Sequence, residues 1–217
     1  MKKKLAIAFI TAALAQTAHA TIVLDFEGAG NNAQLLNFYN GGTDSAGNSG
    51  TNYGIGFGSN ALALIDADDG GGGNFANEPS SKTIMFFLSG SAILNYAAGF
   101  DTGFSFFYSS STAASVKVYD GIDATGNLLA DIPLTAQFNQ GCTGDPNGNY
   151  CNWTAVGAGF AGIAKSIDFG GTIDQVAYDN ITFGSSTPGT VPEPASLALI
   201  GAGLAAILRT RRSSAQR

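Results

Sequence analysis

The sequence predicts an all-β fold, a single antiparallel β-sandwich of jelly-roll type over residues 21–184, set between a short apolar leader and a short apolar tail. Three observations predict it. Between Thr21 and Val191 lie 28 of the 30 glycines, few strong helix formers, and short aromatic or β-branched runs separated by Gly, Asn, Asp and Ser. Several runs alternate with period two: in Val116-Lys117-Val118-Tyr119 the valines leave one face and Lys117 the other, as in a sheet with one wet face. No unit of roughly 20 to 50 residues repeats, which excludes a solenoid or propeller.

From the N-terminus, Lys2, Lys3 and Lys4 precede the apolar run from Leu5 to Ala15, and Ala18-His19-Ala20 supplies a small-x-small cleavage site. These are the three parts of a secretory signal peptide, residues 1–20, removed after Ala20. Eleven strands are then expected, at 21–27, 53–58, 61–65, 82–88, 92–96, 103–109, 115–119, 128–132, 153–160, 164–169 and 173–183. The strand with Phe104, Phe106 and Tyr108 on one face and Phe107 on the other is apolar on much of both sides and belongs in the middle of a sheet. Residues 185–191 read as a polar linker that keeps the C-terminal tail away from the body.

Beyond the linker stand Pro192-Glu193-Pro194, an uncharged stretch from Ala195 to Leu208, and the basic cluster Arg209, Arg211 and Arg212. As a helix the stretch is roughly 21 Å long, shorter than the roughly 20 residues that cross a bilayer comfortably. Cations at both extremes fit one topology, with each end on the cytoplasmic side and the body translocated. Each proline fixes its own φ and holds the preceding residue extended, a conformation that fits a protease cleft. Residues 192–217 resemble the PEP-CTERM sorting signal of exported bacterial proteins. The resemblance implies a hydrophobic helix held in the inner membrane, recognition of Pro192, Glu193, Pro194 and the arginines by an exosortase, and release of the body to the cell surface or extracellular matrix.

Charge and composition exclude several functions. From Thr21 to Val191 the cations are Lys82, Lys117 and Lys165 against 15 acids, 3 minus 15 or −12, which repels a phosphate backbone and argues against nucleic-acid binding. The one histidine, His19, falls in the leader, so a mature body has no imidazole for a catalytic triad or a His-ligated metal. A carboxylate-dependent glycosidase needs no histidine, but nothing singles out one pair of acids.

Asp25 and Glu27 lie two apart on an expected strand and so leave the same face. If the last strand lies alongside, Asp179 joins them, and three carboxylates with backbone carbonyls suit calcium. Asp66-Ala67-Asp68-Asp69 with its adjoining glycines is a second acidic concentration that misses EF-hand spacing and reads as a solvated loop. Cys142 and Cys151, the only cysteines, enclose a turn-rich octapeptide and in an exported chain are expected to pair. Tyr39, Tyr53, Tyr150 and Trp153 fall near expected loops, where ring faces could stack on sugars. Leu24-Asp25-Phe26-Glu27-Gly28, Tyr53-Gly54-Ile55-Gly56-Phe57 and Tyr178-Asp179-Asn180-Ile181-Thr182-Phe183 resemble the β-rich bodies that precede such sorting tails. They also resemble the first and last strands of jelly-roll carbohydrate-binding modules, which implies that those strands are neighbours and that their acids can hold structural calcium. The function expected is that of an exported non-catalytic surface or matrix protein, structural or adhesive in extracellular polysaccharide. A carbohydrate-binding module is the alternative.

Overall fold

The structure is a computed structural model that describes residues 21–143 and 148–189. Each of the eleven expected runs carries a strand, and no α-helix occurs among the described residues. In chain order these are β1 (Ile22–Leu24), β2 (Ile55–Phe57), β3 (Leu62–Ile65), β4 (Thr83–Phe86), β5 (Ala92–Phe100), β6 (Phe104–Ser110), β7 (Ala114–Tyr119), β8 (Leu128–Leu134), β9 (Thr154–Ala158), β10 (Ala164–Phe169) and β11 (Val176–Phe183). One sheet has the order β3-β4-β11-β6-β9, with β1 also on β11; the other has the order β2-β5-β10-β7-β8, and every pairing is antiparallel. The fold is therefore an all-β sandwich of two antiparallel sheets.

The core between the sheets is built by the period-two pattern. Val116 and Val118 are fully buried while Lys117 faces out, paired across the sheet with Asp168 on one side and Asp131 on the other. Phe104, Phe106, Phe169 and Tyr178 interlock edge to face, with centroids 5.9 Å apart for Phe104 and Phe169 and 4.9 Å for Phe169 and Tyr178. Such pairs add to the hydrophobic gain of burying each ring, about 1 kcal/mol apiece. β6 lies between β11 and β9, as its two apolar faces require.

β11 is buried at all eight positions, because its second face is covered too. Phe75, Ile84, Phe86 and Ala177 form a smaller cluster outside the sheet, under Tyr150 and Trp153. Two segments make this cover. Ala76 N donates to Tyr150 O at 3.1 Å, Tyr150 N to Asn74 O at 3.0 Å, and Trp153 Nε1 to Ala76 O at 3.0 Å. Cys142 and Cys151 are joined, with their Cα atoms 5.3 Å apart, closing the end of this flap. Among the described residues no helix is long and apolar enough to cross a membrane. The expected leader and tail helices lie outside them.

Candidate functional site

Two of the acids singled out, Glu27 just after the first strand and Asp179 on the last, meet through Ser80 at a notch in the sheet. One edge of β11 is shared: Tyr178 pairs with Met85 of β4, and Ile181 to Phe183 pair with β1. Between these stretches Asp179 and Asn180 have no strand partner on that side. The opposite edge of β11 shifts register against β6 between Asp179 and Thr182, and Asn180 is left-handed at φ 46°. A bulge of this kind re-aims side chains.

Asp179 is fully buried; its Oδ2 accepts Ser80 N at 2.7 Å and its Oδ1 accepts Asn180 N at 2.6 Å. Glu27 arrives from β1 and its Oε1 accepts Lys82 N at 2.8 Å, Thr83 N at 2.9 Å and Ser80 Oγ at 3.3 Å. Ser80 is thus shared by both carboxylates. Burial pushes the Asp179 carboxyl up to about 8; the Ser80 and Asn180 donors oppose this and the Glu27 charge adds to it. The Asn180 Oδ1 nearby is buried without a hydrogen-bond partner.

Asp25 stands apart from that pair, contrary to the expected same-face arrangement. β1 ends at Leu24 and Phe26 is left-handed at φ 60°, so the period-two rule stops before it reaches Glu27. Asp25 Oδ1 instead accepts Glu27 N at 3.2 Å and the Tyr39 hydroxyl at 3.3 Å. No group of three His, Cys, Asp or Glu side chains able to hold a metal ion occurs among the described residues.

Glu78, which sequence reasoning passed over, is half-buried and pushed up to about 7 by that burial, with the charges of Asp66, Asp69 and Glu27 adding to it. Glu78 thus feels acids from both concentrations of the sequence. Ser80 gave no signal at all, being one of many serines whose backbone amide supplies the useful donor.

The four aromatic residues suggested for sugar stacking are packing residues. Tyr39 is buried and stacks on Tyr53 at 6.1 Å, while Tyr150 and Trp153 cover the outer cluster. An aromatic groove lies elsewhere, at the end of the sandwich where β1 begins and β11 finishes. It measures about 430 Å³ and is lined by Ile22, Tyr96, Phe100, Asp101, Ile163 and Phe183 among others. Tyr96 stacks on Phe100 at 6.4 Å and 15°, and Ile163 is 58% exposed.

Thr21 and Gly184 line the same groove, so the first described residue and the end of the last strand meet there. Residues 190–212 match the family model of the PEP-CTERM protein-sorting motif. The chain carries a PEP-CTERM sorting tail. Such a tail implies an exported protein, held transiently in the membrane at its C-terminus. No curated protein matches the chain. Among solved structures, the body is similar to a family 6 carbohydrate-binding module at 17% identity, covering 59% of this chain and 85% of the module with a TM-score of 0.37. It is also similar to the K2 cleaved adhesin domain of Lys-gingipain, at 10% identity, 76% and 97% coverage and a TM-score of 0.46. The K3 cleaved adhesin domain of Lys-gingipain from Porphyromonas gingivalis w83 gives 14% identity, 76% and 90% coverage and a TM-score of 0.31.

The PEP-CTERM residues Pro192, Glu193, Pro194, Arg209, Arg211 and Arg212 lie outside the described residues, as do the signal-cleavage alanines Ala18 and Ala20. The segment leading to the tail is described as far as Gly189, and it is not the free spacer expected of residues 185–191. Ser105 Oγ donates to Ser185 O at 2.8 Å, and Gly189 N donates to Thr182 Oγ1 at 3.0 Å. The approach to the PEP-CTERM tail is laid against the sandwich.

Proposed function

We propose that the chain is the precursor of an exported, non-catalytic surface or matrix protein. Residues 1–20 are removed by signal peptidase, residues 21–184 are the folded cargo, and an exosortase cleaves near Pro192-Glu193-Pro194. The released body has a structural or adhesive role in extracellular polysaccharide. The observation that carries this reading is the sorting motif at residues 190–212. The acidic body supports it, since −12 between Thr21 and Val191 favours solubility outside the cell. Intact mass of the mature protein is the test, because it fixes both cuts together. A secreted form beginning at Thr21 and ending near residue 192 is expected, whereas an uncleaved 217-residue chain overturns the reading.

The end groove favours glycan binding as the second reading. Tyr96 offers a partly exposed ring beside Asp101 and Thr102, an apolar platform with polar groups at its rim, suited to the C–H face and hydroxyls of a sugar. A glycan array on residues 21–190 checks it: binding lost in Tyr96→Ala is expected, and silence on every polysaccharide overturns it.

Structural calcium at the notch is part of the proposal in reduced form. A fully buried carboxyl, a second carboxylate through Ser80 and a partnerless amide oxygen on Asn180 fit a hard cation. The ligands of this chain would be Glu27, Asp179 and Asn180, with Asp25 left out, and the ion would offset the two like charges.

A further inference from the structure

Residues 184–189 are seated on the body by a set of hydrogen bonds. Gly184 N donates to Gly103 O at 2.9 Å, Thr102 Oγ1 to Gly184 O at 3.1 Å, Ser105 Oγ to Ser185 O at 2.8 Å, and Gly189 N to Thr182 Oγ1 at 3.0 Å. Ser185 Oγ closes the turn on Thr187, accepting its N–H at 3.1 Å and donating to its carbonyl at 2.8 Å. The body is shaped to receive this segment. A Cβ on Gly103 would stand 2.8 Å from Ser186 N and 3.0 Å from the Ser185 carbonyl carbon. A solvated spacer needs neither the bonds nor this bare backbone position.

We propose that residues 184–189 are a strap that sets the reach of the sorting motif, and that the docked strap slows cleavage there. The proposal rests on the reading that a membrane protease cuts near Pro192-Glu193-Pro194. Gly189 is the last residue these bonds hold, so a tether measured from it can carry Pro194 at most roughly 17 Å; measured from Phe183 with the strap undocked, the limit is roughly 37 Å. A protease cleft must close over an extended stretch on both sides of the scissile bond. The docked state leaves five residues, 190–194, between a folded domain and the apolar stretch. Release of the strap lengthens this tether. Ser105 and Thr182 are then positioning residues for a reaction that happens several residues away.

The test uses the full-length chain in a host that has the exosortase. Thr182→Val removes the acceptor for Gly189 N, and Ser105→Ala removes the donor to Ser185 O from a different strand, so one folding failure does not spoil the pair. Hydrogen exchange of residues 184–189 reports docking, and pulse-chase with mass detection reports the processing half-time. Loss of one neutral hydrogen bond shifts docking by roughly fivefold, so faster exchange of 184–189 and cleavage up to roughly fivefold faster are expected. Faster exchange with an unchanged or longer half-time overturns the proposal, as does unchanged exchange in both variants. Glu193→Ala separates the two levels. If it leaves the mature mass unaltered, the processing reading itself fails and the strap falls with it; if it blocks cleavage while the strap variants change nothing, only the strap is wrong.

Discussion

At Asp179, burial outweighs the hydrogen bonds that favour the charge, and the consequence is a pH dependence of definite sign. Unfolded, the carboxyl titrates near 4, while in the fold it is pushed up to about 8. The folded state therefore binds an extra proton between those values, so its stability is full below the unfolded pKa and is lost as pH rises towards 8. Glu78, pushed up to about 7, acts in the same direction. Melting temperature in chelator should fall from pH 5 to pH 8, and Asp179→Asn should flatten most of that fall. Added calcium should restore stability at pH 8; a curve indifferent to calcium sinks the ion. Asp44 is a different acid. It is buried in the β1–β2 connection, where it accepts N–H groups from Gly30, Ala46 and Asn48. Asp44→Ala orphans these and should lower stability by about 2 to 4 kcal/mol in denaturant titration. The pairing of Glu27 with Asp179 was legible from residue types and the expected neighbourhood of first and last strands. Asp25 was misplaced because a left-handed Phe26 leaves no trace in composition. Ser80 acts through its main chain as well as its hydroxyl, and a main-chain role is invisible in a sequence.

The strands were legible because one wet face writes itself as alternation, and their ends were less so. β5 runs to Phe100 although Ala97, Ala98 and Gly99 have little strand preference, since pairing with Ala164 of β10 carries it on. The outer cover of the larger sheet was not foreseen at all. Phe75 and Tyr150 sit in stretches rich in Gly and Asn that read as loops, Trp153 opens an expected strand, and only tertiary pairing brings the three together. The disulfide closes this flap, and breaking it by Cys142→Ser with Cys151→Ser should cost about 2 to 3 kcal/mol. Trp153 is the sole tryptophan, so its fluorescence reports the flap alone: a red shift well below the main melting transition is expected, and coincident transitions would show flap and sandwich to be one cooperative unit. Removing a ring from the main core is a larger insult. Phe104→Ala should destabilise by about 3 to 5 kcal/mol without selective loss of the tryptophan signal.

For the molecule as a whole, the charge balance and the sorting motif at residues 190–212 were readable in the sequence, while the strap was not. Gly and Ser in a polar stretch have the same composition whether the stretch is solvated or docked, and the deciding features, Gly103 and Ser105, are far from it in the chain. Body and tail are also separable in experiment. Glu193→Ala should leave the melting curve of the purified precursor unchanged and alter only the mass of the secreted form.

Thr21 and Gly184 border one groove, and this has a bearing on how the mature protein meets its surroundings. Gly189, the last described residue of the strap, also lies close to Thr21. If both ends are cut as proposed, the new ammonium is left at the pole carrying Tyr96 and Asp101, and an affinity tag placed on Thr21 would stand in the doorway of the groove.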